Sequence, residues 1–273
     1  MPRYYEIKSK PYIFHAIITL NEVIKIRFGG RTDCIDISIY TTEEDKDYPN
    51  IDAIGYDKNC VIDESNAGLL PGTGTVIMVK TALQFVKMLY PNIKHFLFKD
   101  LSNIYCHGGT NFPLSTLYIA KYGRTWYQTH FDAEPTLKKD KIEIQRVHHY
   151  LNKNIKLEYD TFYSTFIKPH LRYMKKIKTN QIYEVFKESY DENKTYLNFF
   201  YQLAEHGDCV MLQEWLPAFI ASICSVRFPF VEWKMKEDLA FQKISYNEIK
   251  ERPFVTRRNN DVKRGGSFPL GKK

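Results

Sequence analysis

The hydrophobic period of this sequence changes near residue 70, and that change limits the possible folds more than any other feature. In CIDISIY, residues 34–40, isoleucine alternates with Asp36 and Ser38, which is the period of a half-buried β-strand. After residue 77 the apolar positions recur at helical spacing and form one stripe, which predicts an amphipathic helix that stops at Pro91. The stripe contains Met78, Ala82, Phe85 and Leu89, and the opposite face contains Lys80, Gln84 and Lys87.

The first 60 residues predict a meander of antiparallel strands. The segments YIFHAIITL (12–20) and VIKIRFGG (23–30) are rich in β-branched and aromatic residues and are joined by a short polar turn. The acidic segment 41–50 predicts a loop. Residues 51–63 follow either as one bent strand or as a hairpin, and the whole pattern is typical of sequential antiparallel strands.

A buried strand follows the helix, and helices follow that strand. IKHFLFKDLS (93–102) predicts the strand, and residues 114–131 predict a helix that is interrupted or ended near Gly123. Beyond about Glu134 the strand signals stop and the patterns favour helix. We therefore expect an α+β fold: an antiparallel-rich mixed sheet with flanking helices in residues 1–135, a helical domain in 136–250 and a basic tail in 251–273.

Positive charge is concentrated in two parts of the chain. The net charge is +7; the segment from Glu251 onward has seven Lys/Arg and two acids, and residues 136–196 have 13 Lys/Arg and 8 acids. Residues 168–178 predict a helix with a basic face over an apolar one. This distribution indicates an anionic partner, either nucleic acid or an acidic protein surface, or else a solvated surface. The candidate partner-binding residues are Arg172, Lys175, Lys176, Arg257, Arg258, Lys263 and Arg264.

The cysteines and the apolar segments bear on location. Five widely spaced cysteines without a CxxC pair predict neither a disulfide framework nor a zinc ribbon. We expect buried thiols in a reducing, cytoplasmic compartment. No apolar stretch reaches about 18 residues, so no membrane association is expected. No HExxH or similar spacing is present, so no metal site is predicted.

The segment LLPGTGTV, residues 69–76, places a Gly-x-Gly turn directly before the amphipathic helix. The first N–H groups of a helix lack intrahelical acceptors, and the macrodipole adds partial positive charge. Gly72, Thr73, Gly74 and Thr75 are therefore candidates for holding a pyrophosphate, with the N–H groups of Thr73 to Val76 as donors. The alternative is a Pro-Gly turn, capped by a threonine, in front of a core helix. The segment is neither a Walker A loop nor a dinucleotide fingerprint.

The order of these segments resembles that of the GNAT family of N-acyltransferases over residues 10–134. In that family antiparallel strands lead to a central strand, and a Q/R-x-x-G-x-G/A loop opens the next helix and binds the coenzyme A pyrophosphate. LLPGTGT stands at the place of this loop, with Leu69 where the family has Gln or Arg. IKHFLFKDLS is similar to the strand after that helix, and WYQTHFDAE (126–134) resembles the family's closing segment. The chain has no room for the family's early helices between Leu20 and Val23, and NIYCHGGTNFP (103–113) is an insertion.

The resemblance implies acyl transfer from acetyl-CoA or another acyl-CoA to an amine. It implies that a backbone N–H from residues 55–62 polarises the thioester carbonyl. It also implies that Glu64 or Asp63 accepts a proton from the amine and that Tyr127 protonates the leaving thiolate. The alternatives are exposed loop acids and a tyrosine that only packs.

Three classes of function stay open at this point. The first is the acyl-CoA-dependent transferase. The second is a non-catalytic assembly component without a cofactor, favoured by the aromatic content of 15%. The third is a nucleic-acid binder that uses the basic segments. The Lys/Tyr/Asn/Ile-rich composition resembles that of proteins of large DNA viruses, which implies a virion-associated assembly for the second class.

Overall fold

The computed structural model describes residues 2–40, 49–62, 67–100, 102–105, 111–173, 179–206, 210–225, 228, 231–236 and 249–252. These residues form two compact units. The first unit contains the described residues up to Lys99, His130–Ala133 and those from Trp233 onward, and the second contains the described residues of 100–129 and 134–232. The units do not follow a single boundary near residue 135, because strands close to the C-terminus return to the sheet.

The described strands are β1 (Arg3–Ser9), β2 (Tyr12–Leu20), β3 (Val23–Gly29), β4 (Asp33–Tyr40), β5 (Asn50–Ile54), β6 (His95–Lys99), β7 (Asn103–Tyr105), β8 (Asn111–Pro113), β9 (Glu134–Pro135), β10 (Glu232–Lys236) and β11 (Ile249–Arg252). Nine of them form one mixed sheet in the order β11-β1-β2-β3-β4-β5-β6-β10-β9, and β7 pairs with β8. The expectation that strands stop beyond Glu134 was wrong. Strands β9 to β11 have two to five residues, too few to show a clear two-residue period.

The predicted meander is confirmed for β2, β3 and β4, and β1 to β5 pair with their sequence neighbours in antiparallel register. The segment 51–63 is neither one bent strand nor a hairpin. It contains the end of β5 and then a 3-10 turn, Lys58–Cys60. The acidic loop predicted at 41–50 lies outside the described residues except for its last two positions.

The described helices are α1 (Thr73–Leu89), α2 (Leu114–Tyr122), α3 (Trp126–Phe131), α4 (Lys138–Leu151), α5 (Tyr159–Phe162), α6 (Thr179–Glu192), α7 (Tyr196–His206), α8 (Val210–Gln213) and α9 (Leu216–Ile223). The interruption predicted near Gly123 separates α2 from α3. Residues 168–173 form a 3-10 helix rather than the expected α-helix with a basic face, and residues 174–178 lie outside the described part.

Helix α1 connects β5 to β6, and these two strands are parallel neighbours. Within the described residues their register covers only Asn50 opposite Leu97 and Ile51 opposite Phe98. On its other side, β5 shows a register shift against β4, where Ala53 pairs with Asp36 and Ile51 with Ile37. Asp52 is the extra residue of this irregularity, which bends a strand locally. Strand β5 therefore pairs with β4 in antiparallel orientation and with β6 in parallel orientation.

Helix α1 packs on the apolar face of this sheet. The Phe85 ring lies 5.2 Å from the Tyr5 ring and 6.4 Å from the Phe28 ring, and Phe28 lies 5.2 Å from Phe14. The predicted stripe is buried at Met78, Ala82 and Phe85. Gln84, expected on the solvent side, is also buried, so the buried surface of α1 is wider than its apolar stripe.

The second unit has an aromatic core centred on Phe162. Rings pack around Phe162 at centroid distances of 4.9 to 5.9 Å. These rings are Tyr190, Tyr196, Phe199, Trp215 and Phe219. Aromatic side chains bury a large area each, so these rings form a substantial apolar core. None of the helices in the described part of the chain is long and apolar enough to span a bilayer.

Helix α2 ends at a glycine that no other residue replaces without strain. Gly123 has φ of +68° and its N–H donates to the Ile119 carbonyl at 2.8 Å, an arrangement that favours glycine. A Cβ atom at this position would lie 2.6 Å from Nδ1 of His148 in α4. The end of α2 and the side of α4 therefore meet at Gly123.

We expect Gly123→Ala to lower the free energy of unfolding by about 2 to 4 kcal/mol, because a left-handed backbone and a steric overlap act together. Chemical denaturation measures this change. In a His148→Ala background the overlap is gone, so the same substitution should cost only about 1 kcal/mol. Equal costs in both backgrounds would contradict the contact with His148.

Candidate functional site

The connection from β5 to α1 begins with a compact turn held by backbone hydrogen bonds. The turn Lys58–Cys60 starts after Asp57, whose side chain accepts the N–H of Asn59 at 2.7 Å. The carbonyl of Asn59 in turn accepts the N–H groups of Arg31 at 2.8 Å and Thr32 at 3.1 Å. The turn is thereby attached to the corner between β3 and β4.

The segment after the turn lies against the backbone of neighbouring strands. A Cβ atom at Gly30 would overlap the backbone of Val61, so only glycine fits there. Ile62 forms an antiparallel bridge with Ile13 of β2, with N–H to oxygen distances of 2.8 and 3.0 Å. Both contacts place residues 58–62 on the sheet of the first unit rather than in solvent.

A disulfide joins Cys34 of β4 to Cys60 of the turn. This finding corrects the expectation that the cysteines are thiols without a disulfide. The two residues are 26 positions apart, and no spacing rule pairs them; the sheet brings them together. Cys224 is buried, and Cys106 and Cys209 lie outside the described residues.

Leu69 links the turn to the first turn of α1. Its N–H donates to the Lys58 carbonyl at 3.0 Å, and its carbonyl accepts the hydroxyl of Tyr56 at 2.9 Å. The Leu69 side chain is 2% exposed and approaches Gly74, where a Cβ atom would lie 3.1 Å from its Cδ1 atom. Leu69 therefore packs under the start of α1, in the position where the GNAT resemblance expects a polar contact.

Helix α1 begins with an open N-terminus. Gly72 precedes it with φ of +71° and contributes no side-chain cap, and a Cβ atom there would meet nothing within 4 Å. The predicted threonine cap is therefore absent from this helix start. The first backbone bond runs from the Val76 N–H to the Gly72 carbonyl at 3.0 Å. Val76 is thus not one of the open donors, which corrects the predicted set to the N–H groups of Thr73, Gly74 and Thr75.

Two further properties of this helix start suit an anion. The first turn of α1 contains no acidic residue, so no carboxylate of its own neutralises the positive end of the dipole. The Thr75 hydroxyl is on a side chain 1% exposed and has no hydrogen-bond partner among the described residues. A buried hydroxyl without a partner is costly, and an oxygen-rich ligand at this helix end offers one.

The structure places Tyr127 in the second unit, at the start of α3. The hydroxyl shares a hydrogen bond with the Ser102 side chain, and the side chain is 3% exposed. Burial, and secondly the charge of Asp100, raises the pKa of the Tyr127 phenol well above its usual range. Thr125 and Gln128 cap α3 reciprocally, at 3.0 and 3.3 Å, and so hold the backbone of Tyr127 in place.

Asp100 is a buried carboxyl group of the second unit, and its charge acts on Tyr127. Its Oδ1 atom accepts the N–H of Ser102 at 3.2 Å, while Oδ2 has no hydrogen-bond partner within the part of the chain that the structure describes. Burial raises the pKa of this carboxyl from 3.8 to about 6, and the hydrogen bonds from Ser102 oppose that shift only in part. Sequence reasoning missed Asp100, although an acid directly after the buried strand FLFK was a usable signal.

Several predicted site residues are not placed. Glu64 and Asp63 lie outside the described residues, as do the basic candidates other than Arg172; these are Lys175, Lys176, Arg257, Arg258, Lys263 and Arg264. The backbone of Arg172 belongs to the 3-10 helix Lys168–Tyr173. Of the stretch 55–62, the N–H groups of Gly55, Cys60 and Ile62 already donate to Cys34, Asp57 and Ile13.

The face of the sheet opposite α1 has a broad open groove of about 920 Å³ over β2 to β5. Two basic side chains of the groove form ion pairs with acids of the same unit: Lys25 lies 3.8 Å from Asp52, and Arg27 lies 3.4 Å from Asp33. Paired surface charges of this kind produce little net field. No cluster of three or more His, Cys, Asp or Glu side chains suited to a metal occurs among the described residues.

We expect the buried carboxyl of Asp100 to make stability depend on pH. Its folded pKa of about 6 lies above the usual 3.8, so the folded state binds the proton more tightly and the free energy of unfolding falls as pH rises from about 4 to about 7. Asp100→Asn removes the ionisation. The free energy of unfolding of the variant should exceed that of the original protein by up to about 3 kcal/mol at pH 8, and the two values should match near pH 4. Denaturant titrations at both values measure this, and a constant difference would contradict it.

Comparisons with known proteins supply no relative from which to argue. No protein-family model matches the chain, and neither the curated proteins nor the solved structures give a significant match. Two separate arrangements bear on function: β5, the 58–60 turn and the start of α1 in the first unit, and the polar group around Tyr127 in the second.

Proposed function

We propose that this chain is a GNAT-like, acyl-CoA-dependent N-acyltransferase and that it holds the pyrophosphate of the acyl-CoA at the start of α1. The observation that carries the proposal is this helix start itself. Thr73, Gly74 and Thr75 offer N–H donors, Gly72 is exposed and leaves space for an anion, and the buried Thr75 hydroxyl lacks a partner among the described residues. The donor set matches the oxygen-rich chemistry of a diphosphate.

The topology around this helix supports the same proposal. In a β–α–β connection the helix begins at the edge where the parallel strands end, and ligands of α/β sheets bind at that edge. Strands β5 and β6 pair only through Asn50, Ile51, Leu97 and Phe98. The part of β5 after Ile51 does not pair with β6 within the described residues. The resemblance to GNAT proteins implies the same order: antiparallel strands, a central strand, a glycine turn that opens a helix, and a further strand.

An acyl-CoA supplies an activated acyl thioester. The residues of the chain orient it, polarise its carbonyl and transfer protons. We assign the polarising N–H to β5 beyond Ile51, on the β6 side, because most described donors of residues 55–62 are already used. Glu64 or Asp63 accepts the proton of the attacking amine. The raised pKa of Tyr127 keeps its phenol protonated, which is the state that a general acid requires.

A second candidate function is a non-catalytic assembly component that binds protein or nucleic acid. It is favoured by an exposed aromatic patch in the second unit, where Lys121 lies 5.1 Å from the ring centroids of both Tyr122 and Tyr201. These tyrosines are 43% and 47% exposed, and tyrosine is enriched at protein interfaces. The predicted anionic partner of the basic tail belongs to this candidate. A chain that binds no acyl-CoA leaves this function as the better one.

The Thr75 hydroxyl gives the sharpest test of the anion site. Thr75→Val keeps the shape of the side chain and removes a hydroxyl without a described partner, so the thermal midpoint should stay equal or rise. Affinity for coenzyme A, measured by calorimetric titration, should fall roughly 5- to 20-fold with the loss of one hydrogen bond to a charged group.

Thr81 is the matched control on the same helix. Its hydroxyl is buried, donates to the Ile77 carbonyl at 2.8 Å and lies 3.3 Å from the Ser9 hydroxyl. Thr81→Val should therefore lower stability by about 1 kcal/mol and leave the affinity unchanged. An absence of binding heat for coenzyme A and acetyl-CoA at millimolar concentration would remove the transferase proposal.

Tyr127→Phe separates a catalytic from a structural role. If the phenol donates the proton, turnover should fall by roughly 10²- to 10⁴-fold while the affinity for coenzyme A is retained. If it only pairs with Ser102, the change should lower stability by about 0.5 to 1.5 kcal/mol and leave turnover alone. Rates with a range of amines and denaturant titrations of both proteins decide between the two.

A further inference from the structure

We propose that the Cys34–Cys60 disulfide positions the first turn of α1, acting through the 58–60 turn and Leu69, and thereby sets the affinity of this helix end for its ligand. The identity of that ligand rests on the proposed function; the positioning does not. Cys34 and Cys60 act through other residues and touch no ligand in this proposal.

The disulfide attaches the turn to a strand with neighbours on both sides. Cys34 lies in β4, which pairs with β3 and with β5, and its carbonyl accepts the N–H of Gly55 at 2.6 Å. Cys60 is the last residue of the turn Lys58–Cys60. The covalent bond therefore places this turn relative to the middle of the sheet.

The turn then controls Leu69. The Lys58 carbonyl accepts the Leu69 N–H at 3.0 Å, and Gly68 lies so close that a Cβ atom there would be 2.8 Å from the same carbonyl oxygen. Leu69 packs against Gly74, which carries one of the open N–H donors. The path from the disulfide to the donors thus consists of one turn, one hydrogen bond and one packing contact.

Without the disulfide, non-covalent contacts hold the turn. Among the described residues these include the two bonds accepted by Asn59, the bridge between Ile13 and Ile62, and the close approach of Gly30 to Val61. A cross-link between residues 26 positions apart restricts many chain conformations that such bonds permit. We therefore expect the turn and Leu69 to move more when the cross-link is absent.

The burial of both cysteines limits how readily the disulfide forms and is reduced. Cys60 and Cys34 are buried, so exchange with another protein's thiols needs local opening first. Formation of the bond transfers two electrons and two protons from the two thiols to a disulfide oxidant, which becomes two thiols. A small dithiol reverses the reaction while being oxidised to its own disulfide. Oxidation is thus a lasting step rather than a rapid switch.

Hydrogen exchange and coenzyme A titration of the full chain test this inference. We compare the oxidised protein, the protein reduced with dithiothreitol, and Cys34→Ala/Cys60→Ala. The Leu69 amide should exchange at least tenfold faster in both forms that lack the disulfide, while the Phe85 and Val86 amides in the middle of α1 keep their protection and report that the unit is folded. The dissociation constant for coenzyme A should rise at least fivefold.

Two further variants complete the test. Cys224→Ala, a buried cysteine of the second unit, should change neither quantity. Leu69→Ala with the disulfide intact should weaken binding, and it should weaken it less in the Cys34→Ala/Cys60→Ala background, because both changes break one path. This variant and the reduced protein keep the test decisive where the double variant does not fold.

The outcomes are distinct. Unchanged exchange at Leu69 without the disulfide overturns the positioning. Faster exchange at Leu69 with unchanged affinity overturns the link to the ligand. Faster exchange in a protein that binds no coenzyme A in any form supports the positioning and removes the proposed function instead.

Discussion

The packing of α1 on one face of the sheet is the interaction on which the first unit depends. Phe85 meets Tyr5 of β1 and Phe28 of β3, so these two strands and the crossover helix share one core. The chain passes from β5 to β6 through this helix, and those two strands are parallel, whereas β5 and β4 are antiparallel. The start of α1, with its open N–H groups, is a consequence of that crossing.

The segment before α1 fixes the position of the helix start. An open helix start is common and carries little meaning alone. Here Asn59, Gly30 and Cys60 attach the preceding turn to the sheet, and Leu69 transfers that position to Gly74. The donors of α1 are therefore held by contacts made before any ligand arrives, and a preorganised donor set is what anion recognition requires. Leu69 therefore has a packing role at this point.

The second unit has a different basis of stability. The rings around Phe162 form a dense apolar core, and aromatic pairs at such distances stabilise a fold beyond their buried area. Against that, Asp100 is buried with one oxygen that has no partner among the described residues. An acid in that environment opposes stability at neutral pH. Proteins tolerate such groups where function needs them, which makes the polar group of Asp100, Ser102 and Tyr127 worth testing together.

The sequence by itself determined the local elements. The alternation in residues 34–40 and the helical stripe at Met78, Ala82 and Phe85 specify β4 and α1, because side-chain period follows directly from backbone geometry. Gly123 likewise marked the end of α2. Only the tertiary structure decided the partners: that Cys34 meets Cys60, that β10 and β11 return to the sheet, that Gln84 is buried, and that Val76 is already bonded to Gly72. These are contacts between residues distant in sequence or details of cap geometry. A local sequence pattern does not predict these contacts, because they depend on how whole helices and strands pack.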